Sequence, residues 1–288
     1  MKIVLSEFLS YCFGVKRTLK LAEKLLEGKK DQIYYMLGEI VHNENVIADL
    51  KKKGLKIIKN PVQIKHNGTV IIQSHGVSQE VIRYLRQNRI PFIDATCPMV
   101  KIIHMHIKDL EEAGYYPVVI GKKGHDEVKG IVGQVKEAMI IGDVADVTGD
   151  KFQGITRVGI VVQSTFIKEK ASKIHEKIQI LVPEVKMIDT ICKPTLSRQQ
   201  EISKEAGRYD CVLIIGSKSS ANTKHLFHLA KREKNCVYLI DTPERIRAIT
   251  LPLQASVFVA SGASTPGYLI DEIVSLLKKK DGHSVGVK

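Results

Sequence analysis

Long apolar runs are the first thing this 288-residue sequence lacks. None approaches the ~20 residues needed to cross a bilayer. The opening run Lys2 to Leu5 is broken by Ser6 and Glu7, too brief for a signal peptide. A soluble, cytoplasmic protein is expected. Cysteine is scarce too: five residues, an odd number, thinly spread and without the pattern of a disulfide-stapled scaffold. That fits a reducing compartment in which thiols serve metals or chemistry. Walker and Rossmann glycine patterns are absent, so nothing supports a nucleotide, flavin or nicotinamide site. The +13 net charge comes without interleaved aromatics, in runs such as Lys51-Lys52-Lys53 and Lys278-Lys279-Lys280. Solvated helix faces and ends explain such runs.

What is present is a composition of 44% hydrophobic and 26% charged residues, ordinary for a globular chain. Short β-rich runs alternate with amphipathic helical patterns from end to end. Lys2 to Leu5 precedes Val15 to Leu26, Ile33 to Leu37 precedes Val46 to Lys53, and Val70 to Gln73 precedes Val81 to Leu85. The rhythm continues through Tyr116 to Ile120, Val158 to Val162, Cys211 to Ile215, Val237 to Ile240 and Val257 to Ala260. Such alternation predicts an α/β fold with mostly parallel sheets flanked by helices.

A weak internal repeat adds detail. Ile93-Asp94-Ala95-Thr96-Cys97-Pro98 is echoed by Ile188-Asp189-Thr190-Ile191-Cys192-Lys193-Pro194, 95 residues on, and Cys12 lies 85 residues before Cys97. Strand-like runs ending in Gln73-Ser74-His75, Gln163-Ser164-Thr165 and Ser261-Gly262-Ala263-Ser264 supply a second echo. Three similar small units follow. Their boundaries are expected at 13–97, 98–192 and 193–280, with residues 1–12 as an N-terminal strand carrying the first cysteine and 281–288 as a flexible tail.

Cys12, Cys97 and Cys192 each stand just before a helical pattern, where free N–H groups stabilise a thiolate. Three thiolates suit zinc completed by a histidine, or an iron–sulfur cluster with one iron left open, and spacing does not separate the two. Cys211 and Cys236 fall in apolar strand runs and read as core residues outside the site. His42, His75 and His125 follow strands in loops suited to binding phosphate or moving protons. His104, His106, His225 and His228 fall inside helical patterns and read as core or surface residues. Gly216 to Thr223 and Ser261 to Pro266 lie between strand and helix, where hydroxyls and backbone N–H groups can cradle a phosphate.

Taken together, Cys12-Phe13-Gly14, Val41-His42-Asn43, Ser74-His75-Gly76, Ala95-Thr96-Cys97-Pro98, Gly124-His125 with Glu127-Val128, and Ser220-Ala221-Asn222 resemble the 4-hydroxy-3-methylbut-2-enyl diphosphate reductase (LytB) family, in its order and over nearly the whole chain. The resemblance implies three α/β units arranged with pseudo-threefold symmetry around a 4Fe-4S cluster, bound by Cys12, Cys97 and Cys192 with the fourth iron open. It implies reductive removal of the substrate hydroxyl to give isopentenyl and dimethylallyl diphosphate, the last step of the methylerythritol phosphate route. His42, His75, His125, Ser164, Ser220, Ala221, Asn222 and Ser264 would hold the substrate. Glu127 would supply protons, with His125, Ser164 and Thr165 assisting. Ser164 stands where the family often has threonine, so either Ser164 or Thr165 would carry the relay. Electrons would come from a flavodoxin or ferredoxin drawn to the basic surface, and the chain would be a monomer or weak dimer without nucleic-acid or membrane partners. The rival readings are a non-redox iron–sulfur hydratase and a basic nucleic-acid-binding protein.

Overall fold

The computed structural model describes residues 1–28, 32–41, 43–64, 68–252 and 254–283. Within them β1 (Lys2–Leu5) and α1 (Phe13–Gly28) precede β2 (Ile33–Leu37), α2 (Glu44–Lys52), β3 (Lys56–Ile58), β4 (Gly68–Ile72), α3 (Gln79–Gln87) and β5 (Phe92–Asp94). Helix α4 (Pro98–Glu112) leads to β6 (Tyr116–Ile120), α5 (Asp126–Val132), β7 (Met139–Ile141), β8 (Arg157–Val162), α6 (Lys168–Leu181) and β9 (Glu184–Ile188). After α7 (Lys193–Glu205) come β10 (Cys211–Ile215), α8 (Ala221–Glu233), β11 (Val237–Ile240), α9 (Arg245–Ala248), β12 (Ser256–Ser261) and α10 (Gly267–His283).

The strands form three four-stranded sheets, ordered β3-β2-β4-β5, β7-β6-β8-β9 and β11-β10-β12-β1. Every pairing is parallel. The N-terminal strand therefore closes the sheet built from the C-terminal third, with Ile3 opposite Val257. By contact, the chain divides into two compact units. One comprises Met1–Phe13, Val41–Val46 and everything from Lys193 onward, and the other comprises Gly14–Ile40 and Ile47–Cys192. The first holds the sheet containing β1, and the second holds the other two. No described helix is long and apolar enough to cross a membrane.

Apolar patterning decides these elements. Strand segments such as Val118-Val119-Ile120 and Val212-Leu213-Ile214 are fully buried along their length because parallel sheets are covered on both faces. Helix α4 buries Val100, Ile103, Ile107 and Leu110, a stripe at helical spacing. Ile103, Ile107 and Leu110 pack on Val119 and Val161 of the second sheet. Each such side chain contributes roughly 1.5–3 kcal/mol by leaving water. Strands β3 and β7, at three residues each, carry too little sequence to show a period.

The two cysteines expected as free core thiols are instead bonded to each other. Strands β10 and β11 are parallel neighbours with Val212 opposite Val237, which sets Cys211 beside Cys236 with 4.8 Å between their Cα atoms. The register, invisible in the sequence, makes the pair.

Candidate active site

Each sheet ends one edge strand in a cysteine loop: β5 leads to Cys97, β9 to Cys192 and β1 to Cys12. The three loops are tied down alike. The backbone N–H of Cys97 donates to Ser74 O, that of Cys192 to Ser164 O and that of Cys12 to Ala263 O, each at 3.0 Å. The accepting residue lies in the tight turn after the adjacent strand β4, β8 or β12. These turns are closed by bonds from Gly76 N to Gln73 O, Phe166 N to Gln163 O and Thr265 N to Gly262 O. His75, Thr165 and Ser264 thus occupy equivalent corners. Cys12, Cys97 and Cys192 are free thiols of intermediate exposure. Loops beyond the carboxyl ends of parallel strands are where α/β sheets gather ligands.

In the two-sheet unit, Gly14 brings the first turn of α1 against Cys97. A Cβ at Gly14 would stand 2.6 Å from the Cys97 sulfur. Cys97 precedes α4, with Pro98 in its first turn. His125 caps α5 with its own ring: Nδ1 accepts from the Glu127 N–H at 3.2 Å. In the neutral ring the proton therefore sits on Nε2, which is a donor. His75 pairs through Nδ1 with Gln73 Oε1 at 3.2 Å. The His75 and His125 rings meet edge to face, 5.5 Å between centroids.

Glu127 is 1% exposed. Its Oε1 accepts from the Ser164 N–H at 2.6 Å and its Oε2 from the Ser164 hydroxyl at 2.9 Å. Burial pushes this carboxyl above the ordinary carboxylate value, and the two bonds from Ser164 oppose the rise. The Ser164 hydroxyl is on Glu127, and Thr165 Oγ1 accepts from Gln163 Nε2 at 3.1 Å. Gln163, fully buried, also accepts from the Lys122 N–H at 2.9 Å and so fixes that corner.

In the other unit, Ser220 caps α8, accepting from the Thr223 N–H at 3.3 Å. The Ser264 hydroxyl reaches Ser220 Oγ at 3.5 Å. Ala221, in the first turn of α8, presents only backbone. Asn222 is 4% exposed, yet neither Nδ2 nor Oδ1 has a hydrogen-bond partner, and Thr223 Oγ1 is likewise unmatched. Unpaired buried polar atoms are costly unless a ligand completes them. Beside them Ser217 donates to Glu44 Oε2 at 2.8 Å and lies 2.7 Å from the Ser219 hydroxyl. Burial pushes Glu44 up, but its backbone bond and those from Ser217 and Ser219 outweigh it and hold the carboxyl below its usual value.

His42 lies outside the described residues. Gly121 and Gly216 each donate to the end of a neighbouring strand and stand four positions before His125 and Ser220, as Gly38 stands before His42. Sequence reasoning gave no role to Gln163 or Glu44, and named Ser217 and Thr223 only within the loop expected to cradle a phosphate. Among the described residues, no group of three His, Cys, Asp or Glu side chains stands ready to hold a single metal ion.

Fold and site define an α/β protein of three parallel sheets, each pairing a free cysteine loop with a loop of imidazole or hydroxyl groups. The chain belongs to the LytB protein family, whose model matches residues 3–278. It is 36% identical to the 4-hydroxy-3-methylbut-2-enyl diphosphate reductase of Aquifex aeolicus, over 96% of both chains. It is 34% identical to the protein of that name from Geobacter metallireducens, over 98% of both. Among solved structures it is similar to an (E)-4-hydroxy-3-methyl-but-2-enyl diphosphate reductase described as the terminal enzyme of the non-mevalonate pathway, at 35% identity and a TM-score of 0.71, covering 96% of this chain and 99% of that one. It is also similar to the E-1-hydroxy-2-methyl-but-2-enyl-4-diphosphate reductase of Plasmodium falciparum, at 27% identity and a TM-score of 0.86, covering 96% and 88%.

Proposed function

We propose that this chain is an iron–sulfur reductase that removes the hydroxyl of (E)-4-hydroxy-3-methylbut-2-enyl diphosphate to give isopentenyl and dimethylallyl diphosphate. The observation that carries the reading is the threefold recurrence of a half-buried free thiol, anchored by the same 3.0 Å backbone bond in each sheet. The names of the curated relatives support the substrate.

The donor set fits a 4Fe-4S cluster held by Cys12, Cys97 and Cys192 with one iron open. None of the three is in a disulfide, and all stand at strand-to-helix junctions, where helix N–H groups favour anionic sulfur. Such a cluster takes each thiolate on a different iron and needs no convergence of three side chains on one atom. When bound, it supplies electrons and Lewis acidity.

The chain's own residues bind and protonate. His42, His75, His125, Ser220, Asn222 and Ser264, with the Ala221 backbone, hold the diphosphate. The Nε2–H of His125 and the unmatched amide of Asn222 are groups that phosphate oxygens satisfy. Removing a hydroxyl as water takes up two electrons and two protons. Glu127, kept protonated by burial, gives the proton that turns departing hydroxide into water, through Ser164 on its carboxyl. Thr165, at the corner equivalent to His75, contacts substrate beside it. Electrons arrive from a flavodoxin or ferredoxin.

The experiment is Glu127→Gln. The variant is expected to keep the visible absorbance of the reconstituted cluster and to lose turnover by roughly 10²–10⁴-fold, the usual contribution of general acid catalysis. Wild-type turnover in that variant would remove Glu127 as the proton source.

A further inference from the structure

Two exposed surfaces of different character adjoin Cys97. On α4, Met99, Ile102 and Met105 are 42%, 38% and 56% exposed. Spaced by three residues, they form one apolar stripe starting two positions after the cysteine. Lys101 and Lys108 flank the stripe. Between them, beside Met105, opens a cleft of about 190 Å³ that Asp94 also lines, its carboxylate ion-paired with Lys101. Helix α1 supplies the second surface. Lys16, Arg17 and Lys20 are exposed in its first two turns. Its contact with Cys97 is direct, through Gly14, and Arg17 Nη1 reaches Thr96 O at 3.4 Å.

These cations are not there for the helices. The N-terminal end of a helix carries positive partial charge, so acidic residues stabilise it and basic ones do not. The first turns of α1 and α4 contain no acidic residue at all. Apolar side chains in water beside exposed cations, around a thiol that would hold a redox cluster, describe a docking face. A core of methionine and isoleucine with a charged rim has the anatomy of a transient interface. The rim's sign, with the chain's +13 net charge, selects an acidic partner.

Resting on the reductase reading above, we propose that the face formed by Met99, Ile102 and Met105 with Lys16, Arg17 and Lys20 is where an acidic one-electron carrier protein docks to deliver electrons toward Cys97.

The test compares reconstituted wild-type holoenzyme with Lys16→Glu/Lys20→Glu and with Met105→Gln, each driven by a pre-reduced acidic two-iron ferredoxin or by reduced methyl viologen. Glutamate near the start of α1 suits the helix dipole, so the double variant is expected to fold. At low ionic strength its kcat/KM for ferredoxin is expected to fall about tenfold or more, while the viologen-driven rate stays at wild type. Roughly 0.3 M salt is expected to shrink the difference by screening. Met105→Gln should weaken ferredoxin use at both salt levels. Unchanged ferredoxin kinetics, an equal loss with viologen, or a wild-type enzyme that works with viologen but not with ferredoxin would each overturn the docking face. So would a dimer of this chain that Met105→Gln dissociates. Absence of product with either reductant would instead refute the reductase reading.

Discussion

Replacing Ser164 by alanine removes one of the two donors that favour the ionised form of Glu127 against the effect of burial. The hydroxyl donates to Oε2 at 2.9 Å inside a site where Glu127 is 1% exposed. A hydrogen bond to a buried charged group stabilises it by roughly 1.5–3 kcal/mol, and one pKa unit corresponds to about 1.4 kcal/mol. The hydroxyl can also turn to serve the neutral acid, so the differential effect lies at the lower end, about one unit. The sign follows from the raised carboxyl: losing a donor raises it further. A group that must be protonated to act then works to higher pH. With viologen as reductant and saturating substrate, kcat in Ser164→Ala should fall because the relay hydroxyl is gone, and the alkaline limb of the remaining kcat should shift upward by about one pH unit. In Glu127→Gln that limb should vanish with the activity. An alkaline limb that stays in place, or moves down, in Ser164→Ala would refute the coupling between these residues.

Other expectations follow from the same coordinates. In Gly14→Ala the new Cβ would fall 2.6 Å from the Cys97 sulfur, so reconstituted iron per chain and visible absorbance should drop while the far-ultraviolet dichroism stays. His104 is held down to about 4 by burial and by repulsion from Lys108, opposed by Asp94. Its unfolded form takes up a proton near 6.5 and its folded form only near 4, so its contribution is complete above pH 6.5 and lost as pH falls toward 4. The loss is about 3 kcal/mol. Denaturant titrations of His104→Phe should lack that part of the acid slope, and an unaltered slope would contradict the burial. Finally, denatured, unreduced apo-protein should show three reactive thiols, because Cys211 and Cys236 are bonded. Five thiols would remove the disulfide.

Much of this was legible in the sequence because the three parts use the same local grammar. A buried parallel strand reads as a continuous apolar run, and Pro98 and Pro194 mark helix starts after Cys97 and Cys192. The echoes around the cysteines and around Ser74, Ser164 and Ser264 correspond to one backbone bond made three times. What depends on register was hidden. No spacing rule pairs β1 with β12, sets Cys211 beside Cys236, or brings the Ser217 hydroxyl onto Glu44. Strands of three residues, β3 and β7, are too short for any periodicity. The bond from the Ser164 hydroxyl to Glu127 was likewise hidden, since it depends on where the helix carrying Glu127 is placed.

The most direct measurement is anaerobic reconstitution with iron and sulfide, followed by product analysis with 4-hydroxy-3-methylbut-2-enyl diphosphate in the presence and absence of reduced viologen. The account expects a cluster in the wild type, its loss in Cys97→Ser, and five-carbon diphosphates formed only when reductant is supplied. A cluster that turns substrate over without reductant would make the protein a non-redox enzyme. Failure to bind any cluster would contradict the account at its root.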